Sequence, residues 1–132
     1  MSLILADTSV WARASQPRVA DLIADANDAG ALLMTGPLAI ELLRAARNGD
    51  EFRRLRRLYG SLDFLPLSEA TSQRARDILG GLADRGRHRG PSVTDLLLAA
   101  AAERAGAILW HCDKHFEQIA EITGQPVKRV GR

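Results

Sequence analysis

Short, continuously apolar runs along this chain alternate with longer segments in which apolar residues recur every three or four positions. The apolar runs end at Asp, Gly or polar residues, a pattern typical of strands that are buried on both faces. The segment 127–130, Val-Lys-Arg-Val, is not apolar throughout, but it follows Pro126 and suits an edge strand. The predicted strands are residues 3–6, 31–35, 63–67, 107–111 and 127–130.

The segments between these runs have helical periodicity. Segment 93–105 is apolar nearly all round through Ala102, which predicts a buried central helix. The polar segment 86–91 is the clearest loop of the sequence. The predicted helices run from Pro17 to Gly30, from Pro37 to Asn48, from Asp50 to Tyr59, from Ser68 to near Gly86, from Val93 to Ala105 and from Lys114 to Thr123.

This alternation predicts an α/β fold: one domain over residues 1–132, with a central, mostly parallel sheet of four or five strands and helices on both faces. Hydrophobic residues make up 46% of the chain and charged residues 26%, which agrees with a globular domain. No apolar run approaches the ~20 residues of a membrane span, and the N-terminal pattern is not that of a secretory signal. We therefore expect a cytoplasmic protein without a membrane association.

Two aspartates directly follow predicted strands. Asp7 comes after the first strand, and Asp113 comes two residues after the strand that ends at His111. Each could bind a cation, but each could also cap the following helix, which is the commoner use of such a position. Taken one at a time, these residues do not establish a site.

Asp95 and Glu41 lie on predicted helices. Ser92-Val93-Thr94-Asp95 fits a capping box, yet apolar residues share the helix face of Asp95, so its buried charge would need a partner. Glu41 lies on the same helix side as Arg44 and Arg47, a pattern typical of a solvated face. A metal role for Asp95 competes with the cap, and a plain surface position remains open for Glu41.

The acidic residues become informative as a group. The ends of parallel strands and the start of the Asp95 helix meet at one sheet edge, where each close carboxylate pair would cost roughly 3 kcal/mol without a cation. Oxygen-only ligands favour Mg²⁺ or Mn²⁺ over Zn²⁺, and such an ion supports the hydrolysis of phosphodiesters. We expect Asp7, Asp95 and Asp113 to bind the metal. Thr8 and Ser9 could steady a water or ligand, although Thr8 could simply cap a helix.

Four motifs together resemble a PIN domain: Leu-Ile-Leu-Ala-Asp7-Thr8-Ser9, Ile-Glu41-Leu-Leu, Thr-Asp95-Leu-Leu-Leu-Ala-Ala-Ala and Leu-Trp-His-Cys-Asp113-Lys-His-Phe. The resemblance covers the whole chain and is greatest to the short VapC-type toxins of toxin–antitoxin pairs. It implies a Mg²⁺-dependent endoribonuclease with Asp7, Glu41, Asp95 and Asp113 as catalytic residues. It also implies an RNA substrate, a homodimer and a small inhibitory antitoxin.

The final acidic motif departs from that family pattern. Many relatives have Thr before it and a second Asp ahead of Phe, whereas this chain has His111 and His115 at those places. The number and affinity of metal ions are therefore open. Zinc binding by the two histidines around Cys112 is an alternative, but their spacing across a strand-to-helix junction lacks helical geometry, and ordinary hydrogen-bonded histidines are favoured.

The basic residues suit a polyanionic substrate. The chain has 18 basic residues, and 12 acidic ones remain when the four catalytic carboxylates are set aside. This balance predicts a modestly basic exterior around an acidic pocket. Arg44, Arg87 and Arg89 are candidate RNA contacts, the last two because their loop precedes the Asp95 helix. Solvated faces or antitoxin contacts are the alternatives for such arginines.

Phosphatases and receiver domains also carry acidic residues on a parallel sheet. A phosphatase would need Asp-x-Asp after the first strand, where Asp7-Thr8-Ser9 stands, and a receiver domain would need an aspartate after the third strand, where Leu67-Ser68 stands. An RNA-processing nuclease without a toxin role is one alternative. A non-catalytic regulatory or binding module, in which the acids are only caps, is another.

Overall fold

The computed structural model describes residues 2–131 of the 132-residue chain. Its strands are β1 (Ile4–Ala6), β2 (Leu32–Met34), β3 (Asp63–Phe64), β4 (Ile108–His111) and β5 (Val127–Arg129). Its helices are α1 (Thr8–Trp11), α2 (Pro17–Asp28), α3 (Gly36–Leu43), α4 (Gly49–Gly60), α5 (Glu69–Ala83), α6 (Val93–Ala105) and α7 (Lys114–Thr123).

The strands form a single sheet in the order β3-β2-β1-β4-β5, and every pairing is parallel. The α/β prediction is confirmed, and the sheet is parallel throughout rather than mostly so. Leu32, Leu33 and Met34 are all buried although successive strand residues point to opposite faces, so both faces of the sheet are covered. β5 lies at an edge, as Pro126 suggested.

Several predicted boundaries were wrong by a few residues. α3 ends at Leu43 rather than at Asn48, because the side chain of Asn48 accepts a hydrogen bond from Glu51 N at 2.9 Å and thereby starts α4. β3 has two residues instead of five, and α5 ends at Ala83. These differences place Arg47 and Asn48 outside the helix that carries Glu41.

α6 is the buried central helix that its composition predicted. It packs against α5, α7, β1 and β4, and ends at Gly106, whose φ of 67° is the left-handed conformation that glycine adopts readily. Because the end of α6 leads directly into β4, its first turn lies at the C-terminal edge of the sheet. The residues of α6 that are buried are Leu96 and Leu98–Ala102.

Two polar contacts fix the surroundings of α6. Arg74 of α5 donates to both carboxylate oxygens of Glu103, at 2.6 and 3.0 Å. Gln125, which is buried in the turn before β5, donates to the Ala99 carbonyl at 3.0 Å. None of the described helices is long and apolar enough to cross a membrane.

Candidate active site

Three of the predicted acids, Asp7, Asp95 and Asp113, lie at the C-terminal edge of the sheet. Asp7 leaves β1 and its backbone N–H donates to the carbonyl of Trp110 in the neighbouring β4 at 2.9 Å. Asp113 follows β4, and Asp95 lies in the first turn of α6. The fold therefore places all three residues at the sheet edge that the sequence predicted.

Asp7 is the most deeply buried of these acids, at 3% exposure. Its Oδ2 accepts hydrogen bonds from Ser9 N at 3.0 Å and from Ser9 Oγ at 2.6 Å, so the side chain caps α1. Its Oδ1 is buried and has no hydrogen-bond partner. Burying a polar oxygen without a partner costs free energy, and the cap accounts for the position of Oδ2 but not for the burial of Oδ1.

Ser9 joins the loop after β1 to the loop after β4. Its hydroxyl donates to Asp7 Oδ2 and accepts a hydrogen bond from Cys112 N at 3.0 Å. Cys112 directly precedes Asp113, so one hydroxyl positions both acidic loops. The structure thus shows Ser9 holding other residues in place, and the expectation that it steadies a water or ligand stays a prediction.

Asp95 is held by a complete capping box. Its Oδ2 accepts from Ser92 N at 2.9 Å, and its own N–H donates to Ser92 Oγ at 3.1 Å. Burial raises the pKa of Asp95 above its ordinary value, against the hydrogen bonds from Ser92, and the Asp7 and Asp113 carboxylates raise it further. Asp95 therefore lies within the electrostatic reach of both other aspartates.

Asp113 caps α7 and is flanked by two histidines. Its Oδ1 accepts from His115 N at 3.0 Å and lies 3.2 Å from His115 Nδ1, and its backbone N–H donates to His111 Nδ1 at 3.3 Å. His111 is buried beside the Phe116 ring, and this burial lowers the pKa of its imidazole, so it is neutral at pH 7. The imidazole of His111 is thus hydrogen-bonded, as the favoured interpretation of the two histidines held, whereas that of His115 lies within ion-pair distance of the Asp113 carboxylate.

Glu41 does not lie on a solvated face, and the surface interpretation of this residue was wrong. The side chain is partly buried, and its Oε2 is a buried oxygen without a hydrogen-bond partner. Glu41 lines a cleft of about 470 Å³ together with Ser92, Val93 and Thr94 of the α6 N-terminus. α3 therefore presents Glu41 toward the helix start that carries Asp95.

Thr8 does not cap α1, because Asp7 does so. Thr8 is the first residue of the helix, and its Oγ1 is also buried without a hydrogen-bond partner. Three buried and unpartnered side-chain oxygens, on Asp7, Thr8 and Glu41, thus belong to residues that the sequence assigned to the site. Within residues 2–131, no three His, Cys, Asp or Glu side chains are close enough to enclose a metal ion.

The three candidate RNA contacts have different surroundings. Arg44 follows α3, is exposed and lines the same cleft as Glu41. Arg87 is paired with Glu121 of α7, with Nη1 and Oε2 3.2 Å apart, whereas Arg89 is an exposed loop residue. Gly90 of this loop lies so near His115 that a Cβ there would be 3.0 Å from the imidazole. The loop therefore borders the Asp113 side of the site.

The sequence favoured an ordinary hydrogen-bonded His111 but did not identify its partner, which is the backbone N–H of Asp113. Its bond to the Asp113 backbone depends on how the chain turns after β4. A histidine two residues before an acid is too common to indicate this contact. The position of His111 at the end of an apolar strand could have predicted its burial, but not its partner.

Comparison with known proteins identifies relatives over nearly the whole chain. The family model described as the PIN domain matches residues 4–122, a range that includes all four acids. Ribonuclease VapC51 of Mycobacterium tuberculosis is 38% identical over 126 residues, which are 96% of this chain and 91% of the relative. Ribonuclease VapC18 of the same species is 33% identical over 126 residues, with 94% and 92% covered.

Solved structures give the same fold. A crystal structure of VapBC2 from Rickettsia felis, bound to a promoter DNA fragment, contains a chain that matches with a TM-score of 0.80 at 12% identity, over 98% of this chain and 99% of that one. A chain of VapBC-5 from Mycobacterium tuberculosis, a toxin–antitoxin system, matches with a TM-score of 0.66 at 21% identity, over 98% and 100%. At such identities the likeness concerns the fold alone.

Proposed function

The chain belongs to the PIN domain family, and we propose that it is a metal-dependent endoribonuclease that hydrolyses RNA phosphodiester bonds as the toxin of a toxin–antitoxin pair. The observation that carries the enzymatic proposal is the buried, unpartnered Oδ1 of Asp7 within electrostatic reach of Asp95. The ribonuclease names of relatives at 33% to 38% identity support the same activity.

The donor set fits a hard divalent cation, Mg²⁺ with Mn²⁺ as a substitute. Asp7, Asp95 and Asp113 would hold the ion partly through its bound waters, since among residues 2–131 no three such side chains already lie within direct ligating distance of one point. Each of these side chains commits one oxygen to its helix cap, namely Oδ2 of Asp7, Oδ2 of Asp95 and Oδ1 of Asp113. The second oxygen takes no part in the cap, so structural and metal-binding roles are compatible in the same residue.

The remaining residues would position the reactants. A bound divalent ion supplies an activated water and neutralises charge on the leaving oxygen. Ser9 fixes Asp7 and the loop before Asp113, and Glu41 Oε2, which has no hydrogen-bond partner, can accept a proton from the attacking water. Arg44 and Arg89, both exposed near the acids, would contact phosphates of the RNA.

A non-catalytic module in which the acids are only caps accounts for less of the geometry. The caps of Asp7, Asp95 and Asp113 are all present, as that alternative requires. It gives no reason for the buried, unpartnered oxygens of Asp7 and Glu41, which a cation and a substrate water would satisfy. The nuclease proposal is therefore preferred.

Cleavage of RNA by the purified protein tests the proposal directly. We expect cleavage with Mg²⁺, none with EDTA, and a loss of about 100-fold or more in Asp7→Asn, since asparagine still caps a helix but carries no charge. Asp21→Asn, which removes an exposed acid of α2, is the matched control and should keep full activity. Cleavage that is equal with EDTA, or unchanged in Asp7→Asn, would rule out the metal mechanism.

The toxin role needs a test of its own. Induced expression should arrest growth, and co-expression of a small neighbouring reading frame should relieve the arrest and yield a complex with this chain. The family resemblance also implies a homodimer, which light scattering of the purified chain would measure. Unaffected growth, together with no small reading frame beside the gene, would favour an RNA-processing nuclease without a toxin role.

A further inference from the structure

The imidazole of His115 is confined between an acid of the sheet edge and a neighbouring loop. On one side of the ring, Nδ1 lies 3.2 Å from Asp113 Oδ1. On the opposite side, Cδ2 and Nε2 face Gly90, where a Cβ would be 3.0 Å from both atoms. Such a contact is tighter than ordinary packing, so a side chain at position 90 would push the ring out of this place.

The loop that carries Gly90 is fixed against α7. Glu121 Oε2 of that helix lies 3.4 Å from Arg85 Nη1 and 3.2 Å from Arg87 Nη1. The Gly90 N–H donates to the Arg87 carbonyl at 3.3 Å, and the following Pro91 is buried. The loop is thus held at both ends, and Gly90 forms a fixed wall beside the ring.

The same loop joins the surroundings of two acids. Two residues after Gly90, the Ser92 N–H donates to Asp95 Oδ2 at 2.9 Å in the capping box of α6. The contact of Gly90 with His115 therefore connects the segment that caps Asp95 with the ring beside Asp113. A displacement of this loop would reach both sides of the acidic edge.

We propose that His115 is a positioning residue for the metal ion: with Gly90 behind it, its imidazole holds the Asp113 carboxylate in the orientation that leaves Oδ2 for the ion. The His115 backbone N–H already donates to Oδ1 at 3.0 Å. An imidazole N–H also attracts a carboxylate oxygen, so ring and backbone hold the same atom toward α7. This inference rests on the proposed metal-dependent function and adds a residue outside the four acids.

A space-filling role accounts for less of this arrangement. The side chain of His115 is 25% exposed, so it is not a core residue that packing alone retains. Its nitrogen Nδ1, rather than a carbon edge, lies beside the carboxylate of Asp113. Partners that orient a metal-binding carboxylate typically change metal affinity by about 10- to 100-fold when they are removed.

Binding of Mn²⁺ in the absence of RNA tests the proposal. Dissociation constants are read from the electron paramagnetic resonance signal of free Mn²⁺, and binding that disappears in Asp7→Asn is assigned to the acidic edge. We expect His115→Ala to bind the ion about tenfold more weakly than wild type, because Asp113 loses the neighbour that orients it. Gly90→Ala should have a similar effect, because the new Cβ displaces the ring. The φ of Gly90 is not positive, so alanine adds no backbone strain there.

Two further variants show whether both substitutions act through the ring. In His115→Ala the ring is gone, so adding Gly90→Ala should cause no further loss of Mn²⁺ affinity. His115→Asn should recover most of the affinity, because its amide can take the place of Nδ1 beside Asp113 while it ends short of Gly90. A space-filling role predicts no such rescue by a shorter side chain.

Gly80→Ala provides the matched control. Gly80 lies in α5, and a Cβ there would have open space around it. We expect this variant to bind Mn²⁺ as wild type does. The melting temperatures of all variants are measured in EDTA, so that metal affinities are compared between folded proteins.

Three results would overturn the positioning role of His115. The first is an equal Mn²⁺ affinity of wild type, His115→Ala and Gly90→Ala. The second is a further loss from Gly90→Ala in the protein without the ring, because the loop would then act by another route. The third is an unchanged Mn²⁺ affinity of His115→Ala with a higher KM for RNA, since the ring would then contact the substrate.

Failure of the nuclease proposal has a different signature. If Mn²⁺ affinity depended on His115 but the wild-type protein cleaved no RNA, the nuclease function would fail while the positioning of the ion stood. If the wild-type protein bound no Mn²⁺ at the acidic edge, the metal mechanism and the role of His115 would fail together.

Discussion

Single residues at the sheet edge combine a structural bond with an unused oxygen. In Asp7 the cap of α1 uses Oδ2, and Oδ1 stays buried without a partner. In Asp95 the capping box uses Oδ2 while burial and two neighbouring carboxylates raise the pKa. The same aspartate can therefore both cap a helix and bind a metal ion. For this reason the neighbouring sequence of a single aspartate could not distinguish the two roles.

Asp95→Asn tests whether the charge of Asp95 destabilises the metal-free fold. The pKa of Asp95 is higher in the folded than in the unfolded state, so its contribution to stability is complete below the unfolded pKa and is lost as pH rises through the folded pKa. We expect Asp95→Asn to have a higher free energy of unfolding than wild type at pH 7 in EDTA. Below about pH 3, where the carboxyl is largely protonated in both states, that gain should disappear.

Urea unfolding at several pH values measures this difference. Asparagine can still accept the hydrogen bond from Ser92 N, so the cap survives the substitution. Asp77→Asn on the exposed side of α5 is the control and should not raise the free energy of unfolding at pH 7 in EDTA. A lower stability of Asp95→Asn at pH 7 would mean that the carboxylate has a compensating partner in the metal-free protein.

Between elements, the site depends on a hydrogen bond that joins two strand ends. Ser9 in α1 and Cys112 after β4 are 103 positions apart in the chain, and the Ser9 hydroxyl connects them at 3.0 Å. Because β1 and β4 are adjacent and parallel, the loops that follow them lie next to each other. The hydroxyl fixes the distance between those loops, and with it the separation of Asp7 from Asp113.

Ser9→Ala tests this link between the loops. The substitution removes the hydrogen bond to Asp7 Oδ2 and leaves Cys112 N–H without its acceptor, so we expect a loss of about 1–3 kcal/mol of stability. Cleavage should fall about tenfold because the acidic loops are no longer held together. Ser15→Ala, at an exposed position, should change neither quantity. Full activity in Ser9→Ala would show that the backbone alone positions both acids.

The whole molecule should be stabilised by the ion that its acidic edge is proposed to hold. A ligand that binds the folded state alone adds about 2.7 kcal/mol at a hundred times its dissociation constant, which is roughly 10 °C in a domain of this size. We expect the melting temperature to rise and saturate with Mg²⁺, and Mn²⁺ to substitute.

Two variants separate site binding from general salt effects in that titration. Asp7→Asn should abolish the saturable rise, and Asp21→Asn on exposed α2 should retain it. A rise that is linear in Mg²⁺ and equal in all three proteins would reflect ionic strength. That outcome would argue against a metal site at the sheet edge.

Elements that depend on local pattern were predictable from the sequence. Apolar runs marked the strands, and Ser92 and Gly106 marked the two ends of α6 correctly. The boundary of α3 was not predictable, because Asn48 could end one helix or begin the next, and its bond to Glu51 decided for the second. Propensity gives the kind of element, while competing caps set its limits.

The sequence by itself determined the α/β fold and the sheet edge at which Asp7, Asp95 and Asp113 gather, because strand ends and helix starts follow from local periodicity and parallel connection. The tertiary structure alone decided that Glu41 lines a cleft together with the start of α6, that Arg87 is paired with Glu121, and that Ser9 reaches Cys112. Each of these contacts joins segments far apart in the chain. Their geometry comes from the packing of whole elements, which no local pattern encodes.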